Sequence, residues 1–122
     1  RVSALGNLPL LDMMPMGEAL HMLLTGTHIS AEEAYRMGLV HKVVPNRETL
    51  MQEAEAIAEQ IKLCAPLAVQ AVRRIAYARR EQSPGEVLEL TESLREQLVQ
   101  TEDAKEGPRA FAEKRKPAWK MR

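Results

Sequence analysis

Residues 46–64 read NRETLMQEAEAIAEQIKLC, the most regular helical signal in the chain. Leu50, Ala54, Ile57, Ala58 and Ile61 recur at spacings of three and four. That spacing draws one apolar stripe along an α-helix and leaves Glu, Gln and Lys on the opposite face. Asn46 stands where its side chain can cap the first turn. Downstream, Ala65 breaks the period and Pro66 opens a second helix at a position where a missing N–H has no partner to lose. Ala68, Val72, Ile75 and Ala76 are the expected buried face of that helix. Ser83, Pro84 and Glu86 then give a third start signal, a capping box with proline in the first turn, and Val87, Leu90, Leu94 and Leu98 supply its stripe.

Upstream the elements are shorter. Met16, Leu20, Met22, Leu23 and Leu24 support a helix from about Gly17 to Thr25, closed by Gly26. Ser30 and Glu33 form another capping box, and the helix it starts ends at Gly38 after two turns. Residues 39–44 (LVHKVV), stopped by Pro45, read as a short extended piece. Residues 1–16 are apolar but aperiodic, interrupted by Gly6, Pro9 and Pro15. They predict a buried irregular segment or a short broken helix that needs covering. At the other end, Asp103 and Glu106 have the spacing of a box, but Gly107 and Pro108 weaken the next turn. The last regular helix is therefore expected from Pro108 to about Lys116, with Pro117 ending it. The sum is a mainly α chain of about five to six helices with one short extended segment, organised as an irregular stretch over residues 1–16 and a helical domain over residues 17–122.

Composition agrees with that class. Hydrophobic residues at 45% and charged residues at 28% describe a globular chain rather than a disordered one, and only 3% are aromatic, which favours helices over sheet. A chain of 122 residues is long enough for one core. Seventeen basic and seventeen acidic side chains cancel, which removes the electrostatic case for nucleic acid as a partner. The balance is uneven, because residues 109–122 hold six basic side chains against the single acid Glu113. Cys64 is the only cysteine, so no internal disulfide can form; a cytoplasmic setting is the default, and Cys64 is expected to act as a small buried hydrophobe. No apolar run approaches the roughly 20 residues that cross a bilayer, so no membrane partner is expected. The chain opens on Arg1 rather than methionine, which leads one to expect a fragment, a processed product or a numbered segment of something longer.

Chemistry-bearing motifs are few. His21, His28 and His41 match no zinc spacing, so no metal site is expected. There is no Gly-x-Ser-x-Gly, phosphate-cradling loop or dinucleotide fingerprint. Most carboxylates belong to polar helix faces or to caps, and no catalytic residue is assigned. One constellation stands out. In AFAEKRKPAW, residues 110–119, Phe111 and Lys114 lie three apart on one expected helix face, with Arg115, Lys116 and Trp119 following. A flat apolar ring beside a cation is what a purine carrying a phosphate requires. On spacing alone, an anchoring Phe with a solvated basic tail outweighs that reading.

Two longer strings carry a resemblance. LLTGTHISAEEAYRMGLVHKVVP, residues 23–45, resembles the Leu-Thr-Gly…Ile-Ser-Ala-x-x-Ala…Gly-Leu-Val…Val-Pro stretch of the enoyl-CoA hydratase/isomerase (crotonase) family. EGPRAFAEKRKPAW, residues 106–119, is similar to that family's ending Glu-Gly-x-x-Ala-Phe-x-Glu-Lys-Arg. The resemblance implies the C-terminal helical region of the crotonase α/β spiral fold, the part that makes lid and trimerisation contacts. It implies a homo-oligomer, a trimer or hexamer, acting on acyl-CoA thioesters, with hydration of trans-2-enoyl-CoA as the parent reaction. Two backbone N–H groups hold the thioester oxygen there while acidic side chains move protons, and both features lie in the family's N-terminal spiral, upstream of Arg1. Coenzyme A enters as part of the substrate rather than as a covalently bound cofactor. Carried over residue by residue, Phe111 and Lys114 become contacts to the CoA adenine and ribose phosphate, which reverses the preference that spacing alone gives. Two alternatives stay open: a stand-alone helical oligomerisation module without catalysis, or a crotonase-fold isomerase, dehalogenase or thioester hydrolase.

Overall fold

A computed structural model describes residues 9–122. The expectation for residues 1–16 therefore falls partly outside the described residues. Among the described residues there are seven helices: α1 (Leu10–Met13), α2 (Met16–Thr25), α3 (Ala31–Arg36), α4 (Arg47–Lys62), α5 (Pro66–Glu81), α6 (Pro84–Val99) and α7 (Glu102–Ala112). No strand occurs among the described residues, so the mainly helical expectation holds, and residues 39–44 join α3 to α4 without a ladder partner. The helix beyond the expected five to six is α1, a single turn between Pro9 and Pro15. The chain divides into two compact units, one ending at Leu50 and one spanning Met51–Arg122.

In the first unit α1 packs on α2, with Met14 and Ala19 buried. Gly26, at φ 70°, ends α2 in the left-handed region and donates its N–H to the Met22 carbonyl at 2.9 Å. Ser30 and Glu33 make the expected box around the start of α3: the Ser30 N–H donates to the Glu33 carboxylate at 2.8 Å, and the Glu33 N–H donates to the Ser30 hydroxyl at 3.2 Å. Those bonds to Ser30 hold the Glu33 carboxyl below its ordinary pKa. At the far end Gly38, at φ 78°, donates to the Tyr35 carbonyl at 3.1 Å while Leu39 donates to the Ala34 carbonyl at 2.9 Å. This crossed pair is the Schellman motif, with glycine where a left-handed residue is required.

The second unit contains most of α4 and all of α5, α6 and α7. Asn46 caps α4 as expected, accepting from the Thr49 N–H at 2.9 Å. Yet α4 buries no residue, and Leu50 and Ile61 on its stripe are about half exposed. α5 packs on α6, and α6 on α7. The contact surfaces are made of small side chains: Ala71, Ala78 and Ala110 are buried, and Leu94 is the one large apolar residue among them. Alanine lets helices approach closely but removes little apolar area from water, so this core stabilises the unit less than leucine-filled layers would. The face expected for α5 was displaced. Ala71 and Ala78 are buried and Ala68 and Ile75 half-buried, whereas Val72 is 68% exposed and Ala76 is exposed. α5 is apolar over a wider arc than α6 can cover, and periodicity does not say which edge of that arc wins. On α6 the expected stripe is the observed one, and Ser83 and Glu86 form the expected box.

Candidate functional site

Residues 101–122 build the site. Thr101 caps α7, its hydroxyl accepting from the Ala104 N–H at 3.1 Å, so the helix starts at Glu102, about a turn and a half before Pro108, rather than at it. Pro108 sits inside and removes the amide that would have reached the Ala104 carbonyl, a local loss that the helix tolerates. The expected end was also displaced: α7 stops at Ala112, not near Lys116. Lys114 adopts φ 53° and donates its N–H to the Phe111 carbonyl at 3.2 Å, while the Arg115 N–H reaches the Ala110 carbonyl at 3.0 Å. This is a Schellman motif with lysine in the position usually taken by glycine. Phe111 and Lys114 are consequently not neighbours on one regular helix face. The ring leaves the last turn of α7, and the lysine stands on the reversal just beyond it. Phe111 is 87% exposed, and Lys114 is exposed as well.

A lysine in the left-handed region costs about 1–2 kcal/mol relative to glycine. A cation at a helix C-terminus recovers about 0.3–1 kcal/mol from the macrodipole, less than the full cost. The remainder must be met by neighbouring contacts, and those contacts are visible. The Arg115 guanidinium donates through both terminal nitrogens to the Glu106 carboxylate, at 2.5 and 3.0 Å, and through Nε to Glu113. It also donates to the Lys116 carbonyl at 3.1 Å. Glu106 accepts a further bond from the Ala118 N–H at 2.7 Å. The guanidinium fork and that amide pull the Glu106 carboxyl down to about pKa 2, and the paired carboxylates push Arg115 further up.

Beyond this clamp the tail folds back along α7. Asp103 is buried and receives the backbone N–H groups of Lys120 at 2.7 Å and Met121 at 3.1 Å. The Glu102 N–H, one of the unpaired donors of the first turn, donates to the Arg122 carbonyl at 2.6 Å. The Glu102 carboxylate pairs with Lys120 and Arg122 and is held below its ordinary pKa chiefly by the Lys120 bond. The Trp119 indole N–H donates to the Leu63 carbonyl at 3.2 Å, and its ring lies over Gly107. The acids at 103 and 106, which spacing assigned to a cap, thus anchor a strap. No local periodicity announces bonds that span nine to eighteen residues.

The basic tail is therefore largely consumed within the chain. Arg109 and Arg115 pair with Glu113, Arg115 also with Glu106, and Lys120 and Arg122 with Glu102. Among the described residues, Lys114 and Lys116 are the basic side chains of this tail left without an ion pair. An exposed phenyl ring, an uncommitted ammonium and a rigidly fixed reversal between them can receive a heteroaromatic ring and an anion together. Elsewhere, Cys64 is exposed rather than buried, its Sγ lying 3.7 Å from the Gln60 carbonyl, because the stripe of α4 that it ends has no cover. His21 lies on α2, and His28 and His41 lie in separate connections. Among the described residues, no helix is long and apolar enough to cross a membrane. Ala68, Val72, Ile75, Leu94, Leu98 and Val99 line an apolar groove along α5 and α6.

The family model for enoyl-CoA hydratase/isomerase matches residues 3–122. Among curated proteins, the chain is similar to a carnitinyl-CoA dehydratase of Salmonella typhi, with 41% identity over 121 residues that cover 96% of this chain and 46% of that protein. Among solved structures, an enoyl-CoA hydratase/isomerase from Mycobacterium paratuberculosis superposes with a TM-score of 0.87 at 36% identity, covering 99% of this chain and 48% of that one. An enoyl-CoA hydratase from Bacillus anthracis gives 0.89 at 33% identity, covering 96% and 45%. The chain spans about half the length of the relatives it matches.

Proposed function

Because the chain belongs to the enoyl-CoA hydratase/isomerase family, we propose that it supplies the helical C-terminal half of an enzyme that adds or removes water at the double bond of an enoyl-CoA thioester. Support for hydratase-type chemistry comes from the 41% identity to a carnitinyl-CoA dehydratase, since hydration and dehydration are one reaction run in two directions. In this reading Phe111 packs on the adenine and Lys114 neutralises the ribose phosphate of coenzyme A. No residue of this chain is given a proton-transfer role. Its contribution is binding energy remote from the reacting carbon, which tightens substrate without itself polarising the thioester.

The observation that carries the CoA reading is the Phe111–Lys114 pair: both side chains are exposed, and the backbone between them is fixed by the crossed hydrogen bonds at the end of α7. Assembly is the second part of the proposal. The uncovered apolar side chains of α4 and α5, Leu50, Ile61 and Val72 among them, support contacts with further protein, including copies of the same enzyme in a trimer or hexamer. Isomerase or thioesterase chemistry would use the same helical half unchanged, because the fold does not choose the reaction.

The test is kinetic. In the enzyme carrying this chain, Lys114→Ala is expected to raise the KM for crotonyl-CoA more than it lowers kcat, the mark of lost uniform binding. An unchanged KM would remove Lys114 from the substrate site. Equilibrium sedimentation of the same enzyme reads assembly, and a stable monomer would end the oligomer part.

A further inference from the structure

Lys114 faces a conformational difficulty that its own side chain does not resolve, and the solution comes from eight residues earlier. Its backbone is left-handed without being glycine. Strain of this kind persists only where the surroundings over-determine it. The surroundings here converge on one carboxylate. Arg115, the next residue, is tied through its backbone to Ala110 and through its guanidinium to Glu106, Glu113 and the Lys116 carbonyl. Glu106 then takes the Ala118 N–H, so a single carboxylate grips the chain on both sides of Lys116 and Pro117.

We infer that Glu106 is the positioning residue of the anion site: by gripping Arg115 and Ala118 it holds the reversal at Lys114 and so fixes where the ammonium is presented. This rests on the reading of Lys114 as a phosphate contact. Glu106 itself touches no substrate. Its two oxygens are committed to the guanidinium fork and the Ala118 amide, and its side chain is 16% exposed, the least of any ion-paired side chain in the tail. Glu113, by contrast, is 45% exposed and divided between Arg109 and Arg115. Neutralising Glu106 leaves a weaker, uncharged acceptor, and the turn relaxes toward right-handed backbone. The ammonium is then presented over a wider arc, and its attraction for a doubly charged phosphate falls.

The test compares two substrates in the intact enzyme: an enoyl-CoA, and the same thioester lacking the ribose phosphate. Glu106→Gln is expected to raise the KM for the first about fivefold or more, on the scale of losing one charge-assisted contact, and to leave the second nearly unchanged. Lys114→Ala is expected to show the same selectivity, and the double variant to be no worse than Lys114→Ala alone. A merely structural role for Glu106 would raise both KM values together or lower kcat alike for both. If Lys114→Ala is selective while Glu106→Gln is not, or if the two add, the inference falls and the site stands. If Lys114→Ala shows no selectivity, the site reading falls and takes the inference with it. Should Glu106→Gln fail to fold, Arg115→Lys replaces the fork by a point charge and is expected to give a smaller loss of the same selectivity; no selective loss there overturns the inference.

Discussion

Two helix ends in this chain have the same hydrogen-bonded form and opposite residue choices. α3 closes on Gly38 and α7 on Lys114, each with the crossed pair of amide bonds that defines a Schellman end and each with positive φ. At α3 the conformation is free of steric cost, and nothing beyond the next residue is needed to hold it. At α7 a lysine occupies the costly region, and four neighbouring acids grip the segment that follows: Glu102, Asp103, Glu106 and Glu113. The difference separates a structural stop from one that keeps a side chain. Glycine ends a helix without steric cost, whereas the lysine at α7 is accompanied by a clamp of ion pairs built around the next residue.

Breaking the α7 end from the far side gives the largest expected effect. Asp103→Ala removes two charge-assisted bonds and strands the Lys120 and Met121 amides, which is expected to cost about 2–4 kcal/mol and to free the tail. Chemical denaturation reads the first, and limited trypsin cleavage after Lys120 the second. An unchanged cleavage rate would mean that the strap is held by something else. Converting the cheap end into the costly one is next. Gly38→Lys places a side chain in the left-handed region with no clamp to hold it, and should lower stability by about 1–2 kcal/mol in the same denaturation experiment. A neutral result would dissolve the contrast between the two ends.

A smaller effect concerns acid. The folded Glu106 carboxyl titrates at about pKa 2, against 4.5 for an unperturbed one, so its contribution is fully present above about pH 4.5 and disappears as pH falls toward 2. The stability gap between the parent and Glu106→Gln is expected to be constant near neutrality, to shrink below about pH 4.5 and to close near pH 2. A gap independent of pH across that window would show that Glu106 carries no linked proton. Glu33 at the start of α3 is also depressed, by its bonds to Ser30, and provides an internal reference for a capping carboxylate.

Legibility in the sequence followed the range of the interactions. The boxes at Ser30–Glu33 and Ser83–Glu86, the Asn46 cap, the proline starts and the glycine ends are settled by bonds between near neighbours in the chain, and all are readable from spacing. The α6 stripe was readable because one neighbour on each side buries it. The α5 face was not, since a wide apolar arc offers several edges and only tertiary contact chooses among them. The end of α7 was missed for a sharper reason: it lacks the glycine that normally marks such a turn, and the contacts replacing glycine's freedom come from residues as far away as Glu106 and Ala118. Spacing alone placed Phe111 and Lys114 together but could not favour a ligand. Family resemblance supplied that reading, and the structure added that four of the six basic side chains in the tail are already paired.

Under the proposed function, Lys114 holds its left-handed position for a ligand rather than for the fold. Lys114→Gly separates the two, because glycine suits the turn while removing the ammonium. Measured in one preparation, the variant is expected to unfold no earlier than the parent, with a gain of up to about 1 kcal/mol, and to show a KM for enoyl-CoA raised severalfold. A variant that is more stable and binds its thioester as tightly as the parent would contradict the account.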